Sequence, residues 1–412
     1  MRVVVSTESR LVRTPDGRVW TMYVPGYGFW QRYLSAFDEV RIMARIANQD
    51  SVPEGMVRVD GPQVDVHALP HYLGSRQYLR QRRRIGQAVA AAAGPSDAVI
   101  VRAPSAFGSL LARDRRRKGL PYALEVIGDP YDVLGPGVLS HPLRPLLRQK
   151  FSTQLRRDCR SAAAVSYVTE QHLQSRYPAA PDAVTAAIST IDLPPTAFVA
   201  APRPVARCRT AEAHLVSVGT LDQLYKGIDC LILAVARLAA SGVRVRLTHL
   251  GGGRYQPDLE RLAAAHGVTE QVTFAGWVAP GEPLHARLDE ADVIVMPSRT
   301  EGLPKALIEG MARALPALGT RVGGIPELLP PDDLVEPNSP DALAEAVRRM
   351  IGDPERMASA SGRNLDRARR YSRDVLTPRR ADFYRSVREA TESAIRGMTR
   401  PEPAGPQPAR RR

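Results

Sequence analysis

Two glutamates, Glu301 and Glu309, lie at the mouth and in the middle of a predicted helix whose first turn is suited to an anion. The helix follows an apolar strand at 293–296 and a tight turn that contains Gly302 and Pro304. The N–H groups of a first helical turn point outward together, and the helix dipole favours a negative charge there. Gly302 lets the backbone approach a ligand, and Pro304 suits the first helical position. The stretch therefore predicts a phosphate site.

The two carboxylates are also able to accept hydrogen bonds from hydroxyl groups. Eight helical residues turn about 80° past two full rotations, so Glu301 and Glu309 do not share one face. Glu301 at the helix mouth could bind sugar hydroxyls, and Glu309 could reach a second group such as a ribose diol. Taken alone, the pair is better explained as a capping glutamate and a solvated helical glutamate, so a functional interpretation depends on context.

The length of 412 residues, 44 % of them hydrophobic, suits two domains of roughly 150–200 residues each. We expect no membrane span because no run of eighteen apolar residues occurs. The apolar run at the N-terminus is too short for a signal peptide and is typical of a first strand. The odd number and scatter of the cysteines argue against a disulfide framework or a zinc site, and they favour a reducing cytoplasm: Cys159, Cys208 and Cys230.

The formal net charge is +14, and residues 1–200 contain 26 Lys and Arg against 17 Asp and Glu. Nearly all the basic residues are Arg, and Ala, Pro and Gly are abundant, which is typical of a GC-rich genome. The alternative is that clusters such as Arg82–Arg84 and Arg113–Lys118 favour an anionic partner, either a membrane face or an acidic acceptor. Nucleic acid is disfavoured because the basic runs lack interleaved aromatic residues.

Strands and helices alternate along the chain, which predicts α/β architecture with parallel sheets. The strand that ends near Ala44 is followed by a predicted loop, and the proline-rich segment before Ala213 predicts a linker. We predict these segments: a first domain at 1–195, a linker at 196–212, a second domain at 213–371, a C-terminal helix at 372–396 and a disordered tail at 397–412.

Motifs of the second half occur in a characteristic order: Gly219 with Lys226-Gly227, Gly251–Gly253, Phe274–Val278, Glu301–Pro304, Glu309–Ala312 and Gly323–Glu327. In order and spacing, residues 214–350 resemble the donor domain of GT-B glycosyltransferases, and most closely the retaining enzymes of glycosyltransferase family 4, the group 1 glycosyltransferases. The resemblance implies two Rossmann-like domains that face each other across a cleft, with C-terminal helices crossing back to the first domain. It also implies that 1–195 binds the acceptor and 213–371 the nucleotide-sugar.

Carried over by position, the resemblance implies a role for each motif. Lys226, beside Gly219, would neutralise the donor diphosphate. Glu301 with the N–H groups of Gly302 and Leu303 would hold the sugar and its phosphate. The remaining implied donor contacts are the backbone of Gly251 and Gly252 at the nucleotide, the backbone of Val278 at the base, and Glu309 at the ribose.

The chain departs from the family pattern at three points. Thr220 stands where the family usually has an Arg, so the phosphate contact falls to another residue, with Arg102 and Arg254 as candidates. The usual glycine pair after the first strand is represented only by Gly26-Tyr27-Gly28, and we assign Gly28 to the donor site. The usual first-domain His is absent, and Asp129 is the candidate substitute.

The first-domain candidates also have ordinary structural interpretations. Asp129, which we assign to the catalytic set with Lys226 and Glu301, precedes Pro130 and suits a loop cap equally well. Arg102 and Glu125 are candidates for the acceptor side, but Arg102 could form a salt bridge with Glu125 or Asp129. The aromatic residues near the N-terminus could stack on a sugar or belong to the core: Tyr23, Tyr27, Trp30 and Tyr33.

The implied function is transfer of a sugar from a nucleotide diphosphate-sugar, such as a UDP-sugar, to an acceptor hydroxyl with retention of configuration. We expect no cofactor and no metal, because no D-x-D element is placed to hold the diphosphate and the histidines lack metal-ligand spacing. The sequence does not decide the acceptor, which could be a glycan, a lipid-linked molecule or a small natural product. A cytoplasmic location is expected, with contact between the basic first domain and the inner membrane face as a further expectation. A nucleotide-sugar epimerase of GT-B fold and an inactive nucleotide-sugar-binding protein are the alternatives.

Overall fold

The computed structural model describes residues 1–22, 25–135, 143–208 and 211–399, and each half of the chain builds a β-sheet. Seven parallel strands of the first sheet follow the order β5-β3-β1-β6-β7-β8-β9, and β2 and β4 extend it by antiparallel pairing from the far end of β1. These strands are β1 (Arg2–Arg13), β2 (Val19–Met22), β3 (Glu39–Asn48), β4 (Met56–Arg58), β5 (Val64–Pro70), β6 (Ala98–Ala103), β7 (Ala123–Val126), β8 (Ala164–Tyr167) and β9 (Val184–Ala187).

Six helices belong to the first half of the chain, and three of them share one face of the first sheet. These three pack side by side and bury the apolar side of the sheet beneath them. The six helices are α1 (Tyr27–Trp30), α2 (Gly74–Ala91), α3 (Ala106–Arg117), α4 (Pro130–Val133), α5 (Arg144–Arg160) and α6 (His172–Arg176). The three that share the face are α2, α3 and α5.

The second sheet is entirely parallel, with the strand order β12-β11-β10-β13-β14-β15. Its strands are β10 (Ala213–Val218), β11 (Val245–Leu250), β12 (Val272–Phe274), β13 (Val293–Met296), β14 (Ala317–Thr320) and β15 (Leu334–Val335). The order reverses between β10 and β13, and in open α/β sheets ligands bind in the crevice at the carboxyl ends of the strands at such a switch point. The helices are α7 (Ile228–Ala240), α8 (Gln256–Ala265), α9 (Glu282–Asp289), α10 (Lys305–Ala312), α11 (Pro340–Ile351), α12 (Pro354–Arg369) and α13 (Arg373–Thr399).

Helix α13 crosses back to the first domain, as the resemblance implies. It packs on the face of the first sheet opposite α2, α3 and α5. The Tyr384 ring lies 4.7 Å from that of Tyr33, and the hydroxyl groups of both tyrosines donate to the buried Glu125 carboxylate. The C-terminal helix therefore completes the core of the N-terminal half.

Several elements differ from the sequence prediction. The predicted loop after β3 contains the parallel strand β5, whose half-exposed, polar-interleaved sequence at the sheet edge lacks a continuous apolar run. The segment predicted as a linker packs on α12, where the Ser361 hydroxyl accepts the Arg203 N–H, and Cys208 is buried. Helix α13 extends to Thr399, three residues into the predicted tail, and residues 400–412 lie outside the described part of the chain.

Two further features concern the thiol groups and the hydropathy of the helices. Cys159, Cys208 and Cys230 are all buried free thiols. Across the described residues, no helix combines the length and the hydropathy that a bilayer crossing requires.

We predict that Tyr384→Ala destabilises the first domain by about 3–5 kcal/mol, because it empties a buried ring site and removes a hydrogen bond from Glu125. Thermal unfolding followed by circular dichroism measures this. Arg379→Ala, at an exposed position of the same helix, is the control and should leave the midpoint unchanged. Equal midpoints for the two variants would contradict the structural role of α13.

Candidate active site

The turn between β13 and α10 occupies the switch point of the second sheet. It leads from the buried strand end through Ser298, which is fully buried, to Glu301 and Gly302. Pro304 is the N-cap of α10 and not its first helical residue, so the prediction was one position off. No side chain caps this helix. Among the described residues, no hydrogen-bond acceptor faces the N–H groups of residues 305–307, so this helix start is open to a ligand.

Lys226 and Glu301 meet beside this helix start. Lys226 Nζ lies 2.6 Å from Glu301 Oε1, and the Ser298 hydroxyl donates to the same oxygen at 2.7 Å. Burial alone would lower the pKa of Lys226, but the Glu301 carboxylate outweighs that effect and holds the pKa above its ordinary value. Lys226 is therefore a fixed positive charge. Glu301 Oε2 has no protein donor among the described residues.

Two glycines fit closely against this lysine. A Cβ on Gly219 would lie 3.0 Å from the Lys226 side chain, and one on Gly227 would lie 2.0 Å from the carbonyl oxygen of Pro297. Gly227 also has a φ of 70°, which favours glycine. These contacts bring the turn at Lys226 against the start of the 297–304 segment.

Arg299 locks the Lys226 turn from the other side, and sequence reasoning missed it. Its backbone N–H donates to Tyr225 O at 2.7 Å, and its guanidinium forms a two-pronged ion pair with Asp229 at 2.9 and 2.7 Å. Bidentate pairs of this kind fix geometry as well as charge. The only sequence signal was a lone Arg between Ser298 and Glu301, which has no distinctive spacing.

The glycine turn after β11 lies next to Gly219. Gly251 has a φ of 139°, and a Cβ there would lie 1.9 Å from Gly219 O. Its N–H donates to Gly276 O at 2.7 Å, while the ideal Cβ of Gly252 has no atom closer than 3.8 Å. The turn therefore brings bare backbone close to Gly219. Arg254, a candidate phosphate contact, instead donates to Asp222 O at 2.8 Å.

Glu309 and Lys305 share the first turns of α10. Burial raises the pKa of the Glu309 carboxyl to about 7, with the nearby Lys305 charge opposing the rise. In the described part of the chain, no side chain or backbone group donates a hydrogen bond to the Glu309 carboxylate. Lys305 is exposed, yet protein surrounds it on several sides, and the resulting desolvation lowers its pKa. Glu309 is thus a partly desolvated acceptor that a ligand hydroxyl could satisfy.

Lys305 lies among other cations from both domains. Repulsion from Arg102, Arg32 and Lys226 also lowers its pKa, while Glu309 raises it. Arg32 and Arg102 stack on the same ring, with their guanidinium carbons 3.8 and 4.8 Å from the centroid of Phe29. The crevice at α10 therefore has a concentrated positive potential, which suits a polyanion.

Asp129 does not provide a free catalytic carboxylate, contrary to our expectation. Its side chain is fully buried and accepts hydrogen bonds from Tyr177, Arg176 and the N–H of Tyr131, which makes it the cap of α4. Burial would raise the pKa of Asp129, but the nearby His172 ring, the hydrogen bond from Tyr177 and the Arg176 charge hold it below its ordinary value. The structural alternative for this residue was the correct one.

Asp129, Asp132 and His172 form the one group of potential metal ligands in the described residues. The Arg176 guanidinium already forms ion pairs with both carboxylates, so a cation occupies this acidic cluster. The cluster carries no metal assignment.

The two acceptor-side candidates form the predicted salt bridge with each other. Arg102 Nε lies 3.2 Å from Glu125 Oε2, and both side chains are buried. Since Glu125 also binds Tyr33 and Tyr384, it belongs to the packing beneath α13 and is not free to meet an acceptor. Arg102 lies between this network and the cations near Lys305.

The aromatic entry belongs mainly to the core. Trp30 and Tyr33 are fully buried, the Tyr27 hydroxyl donates to Pro62 O, and Tyr23 lies outside the described residues. Gly28 is exposed on α1, and its ideal Cβ has no neighbour within 4 Å. Nothing in the packing requires a glycine at that position.

The last two donor candidates are apolar. Val278 is half-buried against the core, and Leu303 is buried directly before α10. The side chains of both residues therefore pack inside the protein, so any ligand contact there falls to the backbone.

The two domains touch beside the site. A Cβ on Gly302 would lie 2.5 Å from Ile127 O at the end of β7. The Glu327 carboxylate accepts the N–H groups of Glu170, Gln171 and His172 at 2.5, 3.0 and 2.7 Å, and so caps α6 in the opposite domain. Sequence reasoning missed this contact because the partners lie more than 150 residues apart.

Comparisons with known proteins agree with this geometry. Residues 212–353 match the family described as Glycosyl transferases group 1. Protein CapJ of Staphylococcus aureus is 24 % identical over 341 residues, which span 78 % of this chain and 80 % of CapJ. The GDP-mannose-dependent alpha-(1-6)-phosphatidylinositol monomannoside mannosyltransferase of Mycobacterium tuberculosis is 35 % identical over 173 residues, which span 39 % of this chain and 44 % of that protein.

Solved structures match nearly the whole chain. Sucrose-phosphate synthase from Thermosynechococcus elongatus is 17 % identical, with a TM-score of 0.64 and coverage of 97 % of this chain and 99 % of its own. Anabaena Alr3699/HepE in complex with UDP-glucose is 15 % identical, with a TM-score of 0.60 and coverage of 96 % and 100 %. The fold is therefore GT-B.

We predict that Glu309→Gln stabilises the protein at high pH but not at low pH. The folded-state pKa of about 7 lies above the ordinary value of 4.5, so the folded protein favours the protonated form. The stability advantage of that form is complete below pH 4.5 and is lost as the pH rises through 7. The variant should therefore gain roughly 2 kcal/mol over the wild type at pH 8 and almost nothing at pH 4. Urea unfolding at both pH values measures this, and an equal gain at both would contradict the burial of Glu309.

Proposed function

We propose that this protein is a retaining glycosyltransferase of family 4 that transfers a sugar from a nucleotide diphosphate-sugar to an acceptor hydroxyl. One observation carries the proposal: the uncapped start of α10 lies beside Lys226 and Lys305 at the switch point of the second sheet. A row of free N–H groups and two lysines constitute a site for a doubly charged leaving group.

The donor diphosphate binds between α10 and Lys226. Glu301 holds Lys226 protonated and oriented through the 2.6 Å ion pair, so the positive charge is preorganised and does not have to be recruited during the reaction. Glu301 Oε2 remains available to a sugar hydroxyl. Glu309 accepts hydrogen bonds from the ribose diol, and the backbone at Gly252 and Val278 borders the nucleotide.

Lys305 takes the place of the Arg that the family usually has at Thr220. The Thr220 hydroxyl donates to Asp222 Oδ2 at 3.0 Å, and Arg254 donates to a backbone carbonyl, so neither of them is a free phosphate contact. Lys305, in contrast, is exposed at the first turn of α10 and pairs with no carboxylate within ion-pair distance among the described residues. Its lowered pKa reflects neighbouring cations that a bound diphosphate would neutralise.

Retention follows if the leaving phosphate is also the base. The bond between the anomeric carbon and the phosphate oxygen breaks, and the acceptor oxygen bonds to the same face of the sugar. The acceptor proton passes to the departing phosphate oxygen. Glu301 is ion-paired and Asp129 is a buried cap, so neither is a free nucleophile or base. The lysines supply the positive charge at the diphosphate, and we propose that no metal ion is required.

The donor is identified by incubating the protein with UDP-, GDP-, ADP- and dTDP-sugars and scoring slow hydrolysis with release of the nucleoside diphosphate. The expected result is release from one class of donor, unchanged by EDTA. An epimerase would release free nucleotide together with a sugar of altered configuration, and an inactive binder would release nothing. Either outcome would overturn the proposal.

We predict that Lys305→Met weakens binding of the matching nucleoside diphosphate about tenfold, because one charged contact to phosphate is lost. Binding of the uncharged nucleoside should be unchanged, since Lys305 contacts only phosphate. Isothermal titration measures both affinities. Lys118→Met, at an exposed site on the first domain, is the control. A parallel loss for nucleoside and diphosphate would show that Lys305 acts through folding and not through the phosphates.

Lys226→Met should reduce donor turnover at least tenfold, because the remaining charges cannot reach the same oxygen of the leaving group. Since this substitution leaves Glu301 without its cation, the double variant Lys226→Met/Glu301→Gln separates lost stability from lost chemistry. Turnover should stay low in the double variant even where its unfolding midpoint recovers. Wild-type turnover in either variant would remove Lys226 from the site.

A further inference from the structure

Helices α2 and α5 expose apolar side chains that the packing does not explain. Leu73 and Leu79 are 48 % and 59 % exposed, and Leu143 and Leu146 are 56 % and 66 % exposed. All four precede or occupy the first two turns of these helices. Scattered exposed leucines are ordinary, but a group at corresponding ends of two helices in one layer is a surface feature.

This group lies at the edge of the first sheet that faces the cleft. Helices that connect parallel strands begin at the carboxyl ends of those strands, so the starts of α2 and α5 share the edge where β7 ends at Val126. Ile127 follows that strand and touches Gly302 of the second domain. Ile127 is 36 % exposed, and Val133 of α4 is 46 % exposed. Because α4 packs on α5, both side chains extend the same edge. We call the exposed apolar side chains of this edge, together with the exposed arginines of α2 and Lys150 of α5, the cleft rim.

The cleft rim is strongly cationic. All five arginines of α2 are exposed, and this helix contains no acidic residue. Helix α5 adds the exposed Lys150 in its second turn, whereas Arg157 and Arg160 lie in its last turn, at the opposite end of the helix. The single acidic residue of α5, Asp158, is buried against Arg116. The exposed cations of the cleft rim are Arg76, Arg80, Arg82, Arg83, Arg84 and Lys150.

We propose that the cleft rim binds the surface of an anionic lipid bilayer. Exposed leucines would enter the boundary between headgroups and acyl chains, while the arginines and lysine would bind anionic headgroups. Binding there would hold the mouth of the cleft against the membrane. The consequence that the acceptor hydroxyl belongs to a lipid-linked molecule rests on the proposed function, but binding to the bilayer does not.

The test is co-sedimentation of the full chain with vesicles of phosphatidylcholine alone or with one third phosphatidylglycerol. The protein should bind the anionic vesicles at least tenfold more strongly than the neutral ones, and binding should fall at high salt because exposed charges are screened. Leu79→Ser/Leu146→Ser and Arg82→Gln/Arg83→Gln/Arg84→Gln should each weaken binding at least tenfold. All of these positions are exposed, so folding should be retained.

Matched controls lie away from the cleft rim. Val52→Ser/Val184→Ser removes exposed apolar side chains elsewhere on the first domain, and Arg237→Gln/Arg261→Gln/Arg287→Gln removes three exposed charges from the second domain. Both controls should bind vesicles as the wild type does. Equal binding to neutral and anionic vesicles, or equal losses in rim and control variants, would overturn the proposal. Absence of vesicle binding would do so too, and would leave an acidic protein partner as the occupant.

Donor hydrolysis without vesicles separates this inference from the proposed function. The rim variants should hydrolyse the donor at the wild-type rate, since the rim contains none of the donor contacts. Vesicle binding without hydrolysis of any donor would contradict the proposed glycosyltransferase function and support membrane binding by the cleft rim. Hydrolysis of a donor without vesicle binding would support the proposed function and contradict membrane binding.

Discussion

The partly buried ion pair between Lys226 and Glu301 is the interaction on which the site depends. It joins the loop after β10 to the turn after β13, the two segments that flank the switch point of the second sheet. A buried charge is stable only when it is paired and hydrogen-bonded, and Ser298 supplies the additional hydrogen bond. The pair therefore fixes a positive charge beside a helix start that no side chain caps. Gly219, Gly227 and Arg299 keep the two segments close enough for it to form.

The same arrangement explains why the polar groups around α10 are not satisfied by the protein. Within the described residues, Glu309 is partly desolvated without a hydrogen-bond donor, and the first N–H groups of α10 have no acceptor. Repulsion from Arg102 and Arg32 of the first domain adds to the desolvation that lowers the pKa of Lys305. Such a site is electrostatically costly when empty, and a bound polyanion with hydroxyl groups relieves each of these costs. Contacts such as Gly302 at Ile127 and Glu327 at α6 bring the first domain against this crevice.

How much of this was predictable depends on whether the signal was local. The second sheet, the glycine turns and the convergence of Lys226 with Glu301 follow from short motifs. The glycines in these motifs allow a positive φ or a close approach of two backbone segments. Glu327 and Arg299 could not be found, because their roles come from partners distant in sequence. Asp129 was misassigned since a strand-end aspartate before a proline looks the same whether it faces a cleft or caps a buried helix. Strand β5 was missed because an edge strand with polar alternation resembles a loop.

The central claim is that the start of α10 and Lys226 hold a diphosphate, and a crystal structure with the nucleoside diphosphate tests it most directly. The account predicts phosphate oxygens within hydrogen-bond distance of Lys226 Nζ and of the first N–H groups of α10, with the ribose hydroxyls on Glu309. A diphosphate bound elsewhere, or a Lys226–Glu301 pair that makes no contact with it, would contradict the account.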